Sequence, residues 1–185
     1  MITRQSAREL LESHIKTDTL LQHSKETELV MEALAKKLNH DPDLWAITGL
    51  LHDIDFDLTK DSPEKHGLIA LQILEDADLP QESINAIVRH NGEMNGNPPS
   101  EILDYALRAG ETITGLLIAT ALVRPSKTLE DVKPKSVIKK MKDKRFAANC
   151  NRDTIKECSN IGLDLSEFVE IALNALKPHA KEFGV

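Results

Sequence analysis

Apolar residues recur at helical spacing along most of this chain, and strand-like alternation is found nowhere, so the sequence must solve its packing problem with helices alone. Aromatic residues make up only 3% while apolar residues reach 41%, which leaves Leu, Ile, Val and Ala to fill the interior. That mixture favours helix-on-helix packing in an all-α domain. At 185 residues the chain suits one domain with an appendage.

The periodicity predicts a short amphipathic helix over Ser6–Ile15 and a longer one over Leu20–Leu38, with His23 near the start of the second. Asp41 reads as an N-cap with Pro42 at the first helical position, opening a helix that runs to about Asp53. Asp61 or Ser62 before Pro63 repeats that signal and predicts a helix over Pro63–Ala77 carrying His66 on its first turn. Gln81–Asn91 is the next helix, bearing His90 at its end, and the GEMNGNPPS stretch from Gly92 reads as the loop that stops it. Ser100 to about Leu122 makes a long helix whose apolar middle is interrupted by Glu111. Beyond it, VKPKSVIKKMKDKRF, NRDTIKECSNIGL and a last helix from Asp164 to Ala180 bring the expectation to eight or so helices.

Cys150 and Cys158 have no partners at a zinc-finger spacing and read as packed thiols. The charged N-terminal stretch lacks the apolar core of a signal peptide, and no run approaches the roughly 18 apolar residues of a membrane span. The expectation is therefore a cytoplasmic protein without a membrane partner. Its net charge of −7 is unevenly distributed: residues 1–125 hold 11 basic and 21 acidic groups, residues 126–185 hold 12 and 9. The division suggests residues 1–125 as a metal-binding helical domain and 126–185 as a helical extension packed on it. An acidic body suits cations, and the basic tail reads either as a surface for an anion or as a solvated face.

The stretch LLHDIDFDLTKD, residues 50–61, focuses the chemistry. A lone histidine at a helix end is more often a cap than a ligand. Here, however, the adjacent pair His52-Asp53 follows an apolar run, with His23 before it and His66, His90 and Glu111 after it. Imidazole nitrogens and carboxylate oxygens are the ligands of divalent Fe, Mn, Co, Ni or Zn, and they must converge from several elements. A carboxylate on an apolar helix face costs several kcal/mol unless it is paired or metal-bound, so Glu111 needs a partner.

The ordered series formed by QHSKETELVMEALA, GLLHDID, EKHGLIA, IVRHNGE and ALRAGETITGL resembles the HD superfamily of metal-dependent phosphohydrolases, over residues 20–124. The tail from Ser126 looks like an extension of a predicted-hydrolase branch. Residue by residue, the resemblance implies that His23, His52, Asp53 and Glu111 hold one metal ion, and that His66 and His90 complete a second site bridged by Asp53. In a single-metal arrangement His66 and His90 would touch substrate instead. Two departures stand out: Glu111 occupies a position that is normally aspartate, and HDIDFD replaces the common HDIG. Asp55 and Asp57 are then either outer carboxylates that orient ligand histidines or an acidic turn.

The implied reaction is hydrolysis of a nucleotide or other small phosphoester, with Asp53 and Asp55 in catalytic roles. Lys60, Arg124 and Lys127 are the cations expected to meet the phosphate, because loops at helix ends let side chains reach a ligand. Arg108 shares a helix face with Glu111 and reads as its ion-pair partner. Seven basic residues lie between Lys133 and Arg145, but no aromatic platform beyond Phe146 accompanies them, so a nucleic-acid polymer is not the expected partner. Two other readings of the same ligands are a di-iron oxygenase and a non-catalytic metal or ligand sensor.

Overall fold

A computed structural model describes residues 1–185, and its elements are helical throughout, without a strand. The chain opens with α1 (Arg4–His14), capped by the Thr3 hydroxyl, and α2 (Asp18–Leu38), which ends at Asn39 in the left-handed conformation. Next comes α3 (Pro42–Leu51), which uses the Asp41 carboxylate as its cap for the amides of Asp43 and Leu44. All residues from Leu44 to Leu51 are buried, so α3 is enclosed on every side, as a helix apolar around its circumference must be.

Around this rod, α1 and α2 cover one flank while α6 (Gln81–Arg89) and α8 (Ile102–Leu122) cover the other. Three short helices connect the walls: α4 (Phe56–Thr59), α5 (Leu68–Ile73) and α7 (Gly92–Asn95). At 21 residues each, α2 and α8 span about 31 Å and form the long walls of the molecule. In the tail, α9 (Pro134–Met141), α10 (Arg152–Lys156) and α11 (Leu165–Leu176) pack against α8 and α2. One apolar cluster runs from Val30 and Met31 through Leu107, Ile113 and Leu117 to Phe168 and Val185. A second, smaller cluster joins α1 to α3 and α5.

Three expectations change in the structure. The helix predicted over Pro63–Ala77 is broken: a 3₁₀ turn at Pro63–Lys65 gives way to extended backbone at His66 and left-handed backbone at Gly67 before α5 begins. The carboxylate of Asp55 captures the amides of Gly67 and Ala70 and one ring nitrogen of His66, which holds the chain out of helical register there. The GEMNGNPPS stretch contains the short helix α7 rather than only loop. Finally, the last helix turns 3₁₀ at Lys177–Phe183, where Pro178 lacks an amide hydrogen for the α-helical ladder.

The crossing of α3 over α2 is closest at Gly49. A methyl group there would lie 2.8 Å from Met31 Cγ and 2.9 Å from the Thr27 carbonyl oxygen. Because the second of these is backbone, the clash cannot be relieved by a rotamer change. Gly49→Ala is therefore expected to destabilise the fold by about 1–3 kcal/mol, at roughly 2–4 °C of Tm per kcal/mol for a chain of this size. Thermal denaturation followed by circular dichroism checks this, and an unchanged Tm would show that the two helices can part.

Candidate metal centre

Four imidazoles and two carboxylates meet where α2, the turn after α3, the break before α5, the end of α6 and the middle of α8 come together. His23 comes from α2, His52 and Asp53 from the first turn beyond α3, His66 from the broken helix, His90 from the C-terminal end of α6, and Glu111 from α8. His23, His52 and Asp53 form one group with ligand atoms within 4.8 Å of one another, and Asp53, His66 and His90 form a second. Asp53 belongs to both. Its Oδ2 lies 3.4 Å from His52 Nε2 and 3.9 Å from His23 Nε2, and its Oδ1 lies 3.1 Å from His66 Nε2 and 3.3 Å from His90 Nε2. Glu111 stands at the edge, with Oε2 at 3.7 Å from His23 Nε2.

What fixes the rings is a partner behind each one. The Nδ1 of His52 lies 2.8 Å from the Gly49 carbonyl oxygen, that of His90 lies against the Ile87 carbonyl, and that of His66 is 2.8 Å from Asp55 Oδ1. For His23 the partner is the Thr114 hydroxyl at 3.1 Å, and Thr114 in turn donates to the Glu111 carbonyl. A carbonyl or carboxylate can only accept, so Nδ1 carries the proton and the lone pair is assigned to Nε2, which faces inward. The His52 Nε2 is buried and has no hydrogen-bond partner. Moreover, the Nε2 atoms of His66 and His90 face each other at 2.9 Å, an arrangement that repels unless a proton or a cation lies there. The donor set and its orphaned lone pair fit a divalent cation.

The electrostatics follow from the crowding. Burial pushes His52 down to about 3 and lowers His23 as well, against the pull of Asp53. For Asp53, burial opposes ionisation, but the surrounding imidazoles of His52, His66 and His90 hold it well below the usual carboxylate range. His66 is the exception among the histidines: burial would lower it, yet Asp53 and Asp55 on its two sides raise it to about 9. Burial, with the charge of Asp53 nearby, raises Glu111 to about 8.

The structure distributes the remaining residues differently. Asp55 is fully buried behind His66, with both oxygens taken by His66 Nδ1, Gly67 N and Ala70 N, so it holds the His66 ring from behind rather than facing the centre of the cluster. Asp57 accepts from the Lys16 amide and the Thr17 hydroxyl, and so pins the junction of α1 and α2. Arg108 does not pair with Glu111. Buried to 2% exposure, it donates to Glu93, Glu157 and the His90 carbonyl; burial would lower its pKa, and the two carboxylates more than reverse that. A cavity of about 350 Å³ opens beside the cluster, lined by His23, His90, Glu111, Thr112, Asn149 and Asn151 among others. Neither Lys60 nor Lys127 lines it, and Arg124 lines a separate one. α8 runs about 17 Å from Glu111 to its end at Leu122, and Arg124 lies two residues beyond that end. The sequence reading missed Asn149, Asn151 and Glu157, which come from a tail distant in sequence, and Glu93, which α7 brings to Arg108 from the stretch read as loop.

The HD domain family model matches residues 20–132. Among curated proteins, the chain is similar to Ribonuclease Y of Chlorobium luteolum, 33% identical over 117 residues, which cover 61% of this chain and 22% of that protein. It is also similar to Ribonuclease Y of Chlorobium chlorochromatii, 32% identical over 88 residues (47% of this chain, 17% of the relative), and of Desulfotalea psychrophila, 27% over 130 residues (70% and 23%). The matched segments span about a fifth of the length of these relatives. No solved structure matches the chain significantly. None of its helices is long and apolar enough to cross a membrane.

Without metal, His66 and Glu111 both hold protons at pH 7, and each must lose its proton to become a ligand. Protons therefore compete with the cation at low pH, and affinity must rise with pH. Metal binding at pH 7 is expected to release about two protons, with the apparent affinity climbing up to pH 8, less steeply to pH 9, and levelling off above. Titration of Mn²⁺ or Co²⁺ in weakly buffered solution with an indicator dye checks the count; release of no protons would rule out both groups as ligands.

Proposed function

The chain belongs to the HD domain family, and from that premise we propose that it is a metal-dependent phosphohydrolase whose ligands are His23, His52, Asp53, His66, His90 and Glu111. The carrying observation is the buried, unpartnered Nε2 of His52, set among three other imidazoles whose Nδ1 atoms are all engaged. The sharing of Asp53 between two ligand groups favours a pair of ions over a single one. A bound divalent transition metal, Fe, Mn, Co, Ni or Zn, supplies acidified water and charge neutralisation on phosphoryl oxygens.

The protein's own groups do the remainder. Asp53 holds the two halves of the site together. Asp55 acts behind His66 as a positioning residue, as do the carbonyls of Gly49 and Ile87 behind His52 and His90. Asn149 and Asn151 offer neutral amide donors in the cavity, while the Thr112 hydroxyl already donates within α8 and Arg108 is already saturated by carboxylates. In the hydrolysis, water oxygen bonds to phosphorus, the ester P–O bond breaks, and the leaving oxygen takes up a proton. Lys60, Arg124 and Lys127 have no place in this cavity, so we assign none of them to the reacting phosphate.

The curated relatives carry the name Ribonuclease Y, which favours a phosphodiester among the nucleotides and other small phosphoesters that the family resemblance implied. Elemental analysis of native and Asp53→Ala protein, together with turnover of bis(p-nitrophenyl) phosphate under Mn, Co or Ni, tests the proposal. The native chain is expected to carry close to two metals and to turn over the diester, and Asp53→Ala to lose both. Asp55→Asn is expected to keep the fold of the cluster but lose about 10–100-fold in metal affinity or activity, as outer partners of ligands do. A native chain that binds metal yet cleaves neither phosphodiesters nor monoesters would overturn the reading.

A further inference from the structure

The metal cavity does not end at Asn149. Together with Cys150 and Asn151, that residue also lines a second depression of about 320 Å³ that reaches Lys144. Asp143, the neighbour of Lys144, lines a third of about 500 Å³ with Arg124, Ser136, Lys139 and Lys140. The first two are continuous through that shared lining, and the third adjoins them through the Asp143-Lys144 pair beside the end of α8, which lies about 17 Å along the helix from Glu111.

The segment that forms the rim is built around one side chain. Arg152, 9% exposed, sends its guanidinium under the loop and donates to the carbonyls of Asp143, Phe146, Ala147 and Cys150. This fixes a loop that displays Lys142, Lys144 and Arg145 to solvent. On α9, Val137 and Met141 are buried, so the lysines of that helix lie towards the outside, and Lys140 sits over the Phe146 ring at 4.2 Å.

Between Lys133 and Arg145 the chain has seven basic residues and one acidic residue. None of the six lysines in that run makes an ion pair, and Arg145 reaches only Asp143 at 3.9 Å. Of the ten lysines elsewhere in this acidic protein, four, Lys25, Lys36, Lys37 and Lys156, are paired with carboxylates. Unpaired cations along a concave path ending at a metal cluster suit a flexible polyanion with evenly spaced single charges. A bilayer cannot follow the path inward, and an acidic peptide carries no phosphoester for the cluster.

We infer that this groove, formed by the tail beyond the family match, is the track for a single-stranded polynucleotide whose reacting phosphodiester lies at the metal cluster. The assignment of the reacting bond rests on the phosphohydrolase reading; the track itself rests on the groove and its unpaired cations.

The test uses the full chain and the variant Lys139→Glu/Lys140→Glu/Lys144→Glu, whose side chains lie on the surface and leave the core intact. Anisotropy of a labelled single-stranded oligonucleotide is measured on metal-free protein across a range of salt, and bis(p-nitrophenyl) phosphate turnover is measured on metal-loaded protein. Expected are a loss of at least about tenfold in oligonucleotide affinity and a salt slope shallower by about 2, from roughly 0.7 per phosphate contact over three contacts. Turnover of the small diester is expected to stay within about twofold of native. Equal affinity in variant and native, no binding by the native chain at low salt, or binding to phosphatidylserine vesicles in preference to the oligonucleotide would each overturn the track. If neither protein cleaves the small diester while the charge reversal still abolishes oligonucleotide binding, the phosphohydrolase reading fails and the track stands.

Discussion

Asp53 is a carboxylate buried beneath four imidazoles, and the need to compensate it shapes everything around the site. A buried anion is tolerated only when its charge is answered and its neighbours are held in place. Here the answer comes from histidines on four separate elements, which must arrive within a few ångströms of one another. The enclosure of α3 delivers the His52-Asp53 pair to the interior, and the absence of a side chain at Gly49 lets α2 come close enough to bring His23 opposite it. The Gly49 carbonyl then orients His52, so one residue serves both the helix crossing and the ligand. Packing and chemistry are not separable at that point.

Much of this was legible in the sequence because the relevant signals are local. Asp41-Pro42 announces α3, the apolar run that follows announces its burial, and the ordered histidines and acids announce a site that several helices must share. What was not legible depends on partners far away in the chain. His66 was placed on a regular helix because its flanking sequence carries a sound cap signal. The helix breaks because Asp55, eleven residues earlier, takes the amides that would have begun it. Likewise, Arg108 sits one turn from Glu111, and local spacing favoured that pair. Glu93 and Glu157 win because they offer two carboxylates in good geometry, where Glu111 is turned towards His23.

The same distinction governs the two acids of the HDIDFD turn. They lie two residues apart in the chain, and the backbone separates them: Asp53 faces the cluster and Asp55 faces the amides behind His66. An acid whose oxygens are both committed to hydrogen bonds from the scaffold is well suited to fixing a ring and poorly suited to moving a proton. Of the two readings the sequence left for Asp55, a carboxylate that orients a histidine or an acidic turn, its bonds to His66 and to the amides behind it favour the first.

Charge and packing divide the molecule along different lines. The change of net charge falls after Pro125, where an acidic body meets a basic tail. The apolar core ignores that boundary, since Val30, Leu107 and Leu117 share a cluster with Ile155, Phe168 and Val185. Arg108 crosses it too: a guanidinium this deeply buried depends on Glu157 from the tail as well as Glu93 from the body. Loss of one partner from a buried ion pair costs about 3–5 kcal/mol, so the tail cannot be detached without disturbing α8 a single turn from Glu111. The basic surface is thus carried by a tail fastened through Glu157 to α8, the helix that also carries Glu111.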